Sequence, residues 1–103
     1  MTFIELDNVQ EYRYSITCNG VVTDNLKHRN LRWTDDRGFK TVGFAGLDGK
    51  VRRRYVHRLV AQYFVANPMG YNQVIHLDGD RSNNQASNLR WMNDPSKLPA
   101  WLR

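Results

Sequence analysis

Apolar and polar residues alternate along the first half of the chain. Tyr12, Tyr14, Ile16 and Cys18 fall on one side of an extended segment and Arg13, Ser15 and Thr17 on the other, the two-residue period of a β-strand. Asn19-Gly20 then offers a two-residue hairpin turn into Val21-Val22. A second hairpin is predicted from Lys40 to Ala45, through a turn at Asp48-Gly49, to Val51–Val56. Residues 23 to 38 are polar and weakly patterned and read as a long loop with a short strand at Leu31 to Trp33. From Val56 the period lengthens, with Val56, Leu59, Val60, Tyr63 and Phe64 on one helical face. Asn67-Pro68-Met69-Gly70 ends that helix, because a proline disfavours helical geometry in the residue before it. Val74-Ile75 and Leu89–Met92, around the Asp78-Gly79 turn, make a last hairpin.

The expected fold class is therefore α+β: a small antiparallel sheet of three or four strands with one core helix, followed by a separate hairpin unit. One domain is expected over residues 1–103, with a basic antiparallel β region at 1–56, the core helix at 57–66 and the hairpin unit at 71–103. Leu59 and Phe64 should lie between helix and sheet.

Composition narrows the setting. There is no apolar run long enough to span a bilayer and no signal-peptide pattern, so a soluble, cytoplasmic protein with no membrane partner is expected. Cys18 is the single cysteine, which excludes an intrachain disulfide and fits a reducing compartment. Cys18, His28, His57 and His76 do not stand at zinc-site spacing, so a structural zinc is not expected.

The net charge of +5 is unevenly distributed. Residues 1 to 26 hold Glu5, Asp7, Glu11 and Asp24 against Arg13, a balance of −3, whereas residues 27 to 58 hold ten Lys or Arg against Asp35, Asp36 and Asp48, a balance of +7. Trp33, Phe39, Phe44 and Tyr55 are interleaved with those cations. A basic segment of this kind suits a polyanion, most commonly nucleic acid, and Lys27, Arg29, Arg32, Arg37, Lys40, Arg52 and Arg54 are the candidate contacts. The run Arg52-Arg53-Arg54 lies on a strand, so Arg52 and Arg54 share a face with Val56, and Arg53 shares one with Val51 and Tyr55. One set should meet phosphates while the other lies over the sheet edge.

The candidate chemistry is concentrated between Val74 and Met92. His76 would sit at the rim of the last hairpin, and Asn88, twelve positions later, is placed for its carboxamide to reach the imidazole and fix which ring nitrogen accepts a proton. Asp78, Asn83 and Asn84 read as turn and loop architecture, since such side chains readily bond local backbone groups. His57, at the start of the helix, is expected to be a buried, hydrogen-bonded structural residue.

The pattern His76-x-Asp78-Gly79-x-x-x-Asn83-Asn84-x-x-x-Asn88-Leu89-x-Trp91 resembles the HNH motif of phage-type homing and nicking endonucleases. Upstream, Val56-His57-Arg58-Leu59-Val60-Ala61 with Phe64 and Asn67-Pro68 resembles the helix that precedes the motif, and Tyr14-x-Ile16 with Gly20-x-Val22 resembles the family's opening strand. The resemblance implies a ββα unit at 71–103, double-stranded DNA as partner, and hydrolysis of its phosphodiester bonds with one divalent ion, Mg²⁺ or Mn²⁺. It implies that His76 is the general base and that Asn88 orients it. It also implies a phage or mobile-element protein working in an infected bacterial cell.

Two positions depart from the pattern. Ile75 stands where the family often has a metal-binding Asn or Asp, and Lys97 stands where it usually has an Asn or His. An ammonium cannot ligate a cation, and Pro95 and Pro99 would disturb a last helix. Asn93 and Asp94 are the remaining candidate oxygen ligands for a hard cation. These departures define the alternative class, a degenerate HNH-fold protein that binds DNA, or a host or phage protein, without cutting.

Overall fold

The structure, a computed structural model, describes residues 2–92, and the strands form three antiparallel sheets rather than the two units expected. The first sheet has the order β1 (Thr2–Phe3), β2 (Tyr14–Ile16), β3 (Val22–Asp24) and β4 (Arg29–Asn30). The second is β5 (Thr34–Asp36), β6 (Phe39–Ala45) and β7 (Val51–Tyr55), and helix α1 (Val56–Phe64) follows directly. The third pairs β8 (Gln73–His76) with β9 (Leu89–Met92), the latter entered through a 3₁₀ turn at Ala86–Asn88.

The Asn19-Gly20 turn closes the first hairpin as its composition requires: Gly20 has φ of +85°, and its N–H donates to the Thr17 carbonyl at 3.0 Å. Alternation across β2 is overridden, however. Ser15 is as fully buried as Tyr14 and Ile16, and Asn25 Nδ2 donates to its hydroxyl at 3.2 Å. Tyr12 is exposed with φ of 62°, so the strand begins two residues later than the pattern suggests.

Residues 23 to 38 are not the long loop that was expected. They contain β4, β5 and two tight reversals, with His28 and Arg37 both at φ of 54°. Asp24 organises the first reversal: it is buried, accepts N–H bonds from Leu26 and Lys27, and receives both ends of the Arg13 guanidinium at 3.1 and 3.2 Å. Leu31 to Trp33 connects the two sheets and is not a strand; the strand is Thr34–Asp36.

The core lies where sheets and helix meet, with Tyr14, Ile16, Val22, Val42, Phe44, Val56, Leu59, Val60 and Leu89 all buried. Phe64 and Trp91 pack at its margin. Trp91 Nε1 donates to the Ala61 and Val65 carbonyls at 3.3 and 3.2 Å, which fastens the end of α1 to β9. A second clasp runs from the Ala86 N–H to the Cys18 carbonyl at 2.8 Å, and it holds the last hairpin's loop against the first hairpin. No helix among the described residues is long and apolar enough to cross a membrane.

Candidate active site

His76 ends β8, paired across the ladder with Leu89, and is only 6% exposed. Alternation along β8 would send Ile75 and His76 to opposite faces, yet both are buried, and the His76 ring is met by His57 of α1, Asn84 of the loop 77–88 and Phe39 of β6. That loop is held by its own polar side chains. Asp78 accepts from the Asp80 N–H at 2.8 Å, from Asn83 Nδ2 at 2.8 Å and from Asn88 Nδ2 at 2.9 Å. The Asn83 amide, the Asp80 N–H and the Asn88 amide together hold the Asp78 carboxyl below its ordinary range.

Asn88 is fully engaged in this network. Its Oδ1 accepts from the Asp78 N–H at 3.1 Å, and its Nδ2 donates to Asp78 Oδ1 and to the Asn83 carbonyl, each at 2.9 Å. The expectation that Asn88 reaches the imidazole is therefore corrected: its bonds go to the loop. The side chain that does reach it is Asn84, whose Oδ1 lies 2.9 Å from His76 Nε2. Asn84 is 4% exposed, so of the three residues read as loop architecture, Asp78 and Asn83 fit that reading and Asn84 belongs to the site. Both carboxamides were visible in the sequence; the spacing alone could not say which one faces the ring.

His57 also differs from expectation. It is buried, but its Nδ1 has no hydrogen-bond partner, and its ring centroid lies 5.1 Å from that of His76. Burial pushes its pKa down to about 4, helped by the neighbouring His76 and Arg58, so it is neutral at neutral pH. Phe39 and Tyr55 complete an aromatic collar: the Phe39 centroid is 4.9 Å from His57 and 6.0 Å from His76, and Tyr55 is 5.4 Å from His57. The Tyr55 hydroxyl donates to Asp36 at 2.6 Å and holds that carboxyl below its ordinary range. Among the described residues, the buried side-chain polar atoms left without a partner are His57 Nδ1 and Asn84 Nδ2, and both residues border His76. Unpaired buried polar atoms are costly, and their gathering around one imidazole makes this place the candidate functional site.

The cations divide according to the strand register. Arg52 lies opposite Phe44 and Arg54 opposite Val42, so both stand on the face that Val42 and Phe44 turn toward the core. Arg52 is bound at both ends by Asp48, at 2.9 and 3.0 Å, and this pair pulls the Asp48 pKa down to about 2. Arg54 donates to the Arg53 carbonyl at 2.8 Å. Arg53, which the sequence reading left out of the contact set, occupies the opposite face together with Thr41 and Tyr55, and its Nη1 donates to Thr34 Oγ1 at 3.0 Å. That is the face carrying the aromatic collar.

Arg81 joins it from the loop. Its guanidinium lies 4.6 Å over the Phe39 ring, and its Nη1 donates to the Arg37 carbonyl at 2.7 Å. Arg37 is exposed beside Asp36 at 3.4 Å. Lys27, Arg29 and Arg32 are exposed along the first sheet and the connection out of it, and Lys40 Nζ lies 4.4 Å over the Trp33 ring. Arg53 and Arg81 were missed because their relation to His76 depends on how sheet and hairpin dock.

Among the described residues, no three His, Cys, Asp or Glu side chains converge as a metal site. Ile75, buried, offers no donor. Asn93, Asp94, Pro95, Lys97 and Pro99 lie outside the described residues, so the ligands expected at Asn93 and Asp94 are not placed.

Residues 54–95 match the profile of the HNH endonuclease family. The chain is 34% identical over 80 residues to an uncharacterized HNH endonuclease of Acanthamoeba polyphaga mimivirus, an alignment covering 78% of this chain and 24% of that protein. It is 32% identical over 82 residues to an SPbeta prophage-derived protein of Bacillus subtilis named for HNH homing endonucleases, covering 79% of this chain and 47% of the relative. The chain thus spans half or less of the curated relatives it matches. Its fold is similar to that of the HNH homing endonuclease I-HmuI, solved in a study of that enzyme's DNA binding and cleavage, with a TM-score of 0.74 and 29% identity over 90% of this chain and 53% of that one.

Proposed function

We propose that this chain, which belongs to the HNH homing endonuclease family, hydrolyses phosphodiester bonds of double-stranded DNA with His76 as general base. The observation that carries this reading is His76 itself: a buried imidazole, bonded at Nε2, beside a neutral second histidine and at the edge of the face bearing Arg53 and Arg81. A bond forms from the oxygen of water to phosphorus as the bond to the leaving oxygen breaks, and His76 takes the proton that water gives up. Keeping His57 neutral avoids a second positive charge that would oppose this transfer. Arg53 and Arg81 are suited to bind the flanking phosphates.

A divalent cation, Mg²⁺ or Mn²⁺, would supply charge stabilisation at the phosphate. The described residues do not make up its ligand set, and Asn93 and Asp94 are proposed as its oxygen donors. The viral and prophage relatives favour an origin in a phage or mobile element, and action in the cytoplasm of the infected cell belongs to the same proposal. The buried Ile75 in place of a donor favours the second reading, a family member that binds DNA without cutting it. Incubation with supercoiled plasmid and Mg²⁺ or Mn²⁺, with and without chelator, separates the two. Metal-dependent nicking that His76→Ala abolishes while DNA binding persists is the expected result, and no nicking by the unaltered protein overturns it.

A further inference from the structure

We propose that Asn84 is the positioning residue of His76, holding the ring in its Nε2–H tautomer so that Nδ1 is the proton acceptor, and that the Asn19-Gly20 turn holds Asn84 in place. The inference rests on the reading of His76 as base. A carboxamide oxygen can only accept a hydrogen bond, so with Asn84 Oδ1 at 2.9 Å, Nε2 carries the hydrogen. A neutral imidazole has one such hydrogen, and the basic lone pair then belongs to Nδ1. When Nδ1 takes up a proton, the Nε2–H bond to Asn84 strengthens, so the same contact that orients the ring also favours the product of proton transfer.

Asn88 cannot share this task without giving up its three bonds to Asp78 and Asn83. Asn84, in contrast, is clamped from two sides. On one side, Asn83 is fixed by its N–H to the Asp80 carbonyl at 3.1 Å and by its amide to Asp78. On the other, Gly20 packs so closely that a Cβ there would lie 3.2 Å from Asn84 Cβ and 3.4 Å from the Asn84 carbonyl oxygen. The Ala86 N–H to Cys18 bond locks that contact. The first hairpin, far away in sequence, thus sets the geometry of the base. Of the other groups around His76, His57 on α1 and Asp80 in the loop are titratable, and Phe39 on β6 is not.

The test combines plasmid nicking across pH with nitrogen NMR of the His76 ring, which needs no activity. Asn84→Ala should lower kcat roughly 10- to 100-fold while DNA affinity stays close to that of the unaltered protein, and its His76 spectrum should lose the pure Nε2–H signature. Asn84→Asp, nearly isosteric and therefore safe for folding, should move the acidic limb of the pH–rate profile and the ring titration upward, because a carboxylate at Nε2 favours the imidazolium. Unaltered ring spectra and an unshifted profile in both variants would overturn the proposal. A tautomer that changes in Asn84→Ala while the unaltered protein never nicks DNA would uphold the positioning role and defeat the base assignment instead.

Discussion

The rings of His57 and His76, nineteen residues apart, lie with their centroids 5.1 Å from each other, one at the start of the helix and one at the end of a strand. This proximity and the burial of His57 tie the protein's stability to pH. The folded-state pKa of His57 is about 4, below the ordinary 6.5, so between those values the unfolded chain binds the extra proton and the folded chain does not. Its contribution is fully present above 6.5 and is lost as pH falls toward 4, amounting to roughly 1–3 kcal/mol. Urea denaturation from neutral pH down to about pH 4 should show this decline, and His57→Phe should flatten it. Carboxylates such as Asp48, with a pKa of about 2, act only at the acid end of this range. Parallel stability curves for the two proteins would exclude His57 as the source.

The asparagine network of the 77–88 loop has a separate signature. Asn88 is buried and makes three bonds, so Asn88→Ala leaves the Asp78 N–H and the Asn83 carbonyl unpaired and should cost about 1–3 kcal/mol. Because the Asn88 side chain bonds Asp78 and Asn83 and not the His76 ring, the ring's tautomer should be unchanged in that variant wherever it remains folded. Thermal unfolding together with the His76 nitrogen spectrum checks both halves. A shifted tautomer with unchanged stability would reverse the roles assigned to Asn84 and Asn88.

Local signals explain why much of this fold was legible. The helix at 56–64 and the hairpins at Asn19-Gly20 and Asp48-Gly49 are written in short-range periodicity and turn residues. Strands β4 and β5, of two and three residues, are too short and too polar for alternation to register, and their pairing partners define them instead. The site shows the same division. His76 was evident from its motif, but Phe39, His57 and Arg81 come from different parts of the chain, and their convergence belongs to tertiary docking. Spacing pointed to Asn88 as the ring's partner and to Asn84 as loop architecture; the bonds that consume Asn88 and the contact of Asn84 with Nε2 reverse that assignment.

The arginine run yields the last prediction, since adjacent residues there differ in everything but type. Arg52 is neutralised by a bidentate pair with Asp48 on the core-directed side of β7, whereas Arg53 has no carboxylate partner among the described residues and stands on the face of the aromatic collar. A guanidinium must be free of its counter-charge to displace a counterion from DNA, and each phosphate contact contributes close to one unit to the log–log salt dependence of binding. Arg53→Ala should therefore weaken duplex binding and reduce that slope by about one, and Arg81→Ala should do the same. Arg52→Ala should leave the slope nearly unchanged while loosening the Asp48-Gly49 turn, because breaking its pair exposes an unmatched Asp48 at the sheet edge. Fluorescence anisotropy of a labelled duplex titrated across salt concentrations measures all three. If Arg52→Ala lowers the slope as much as Arg53→Ala does, the DNA lies along the core-directed edge of β7 and not across the face that leads to His76.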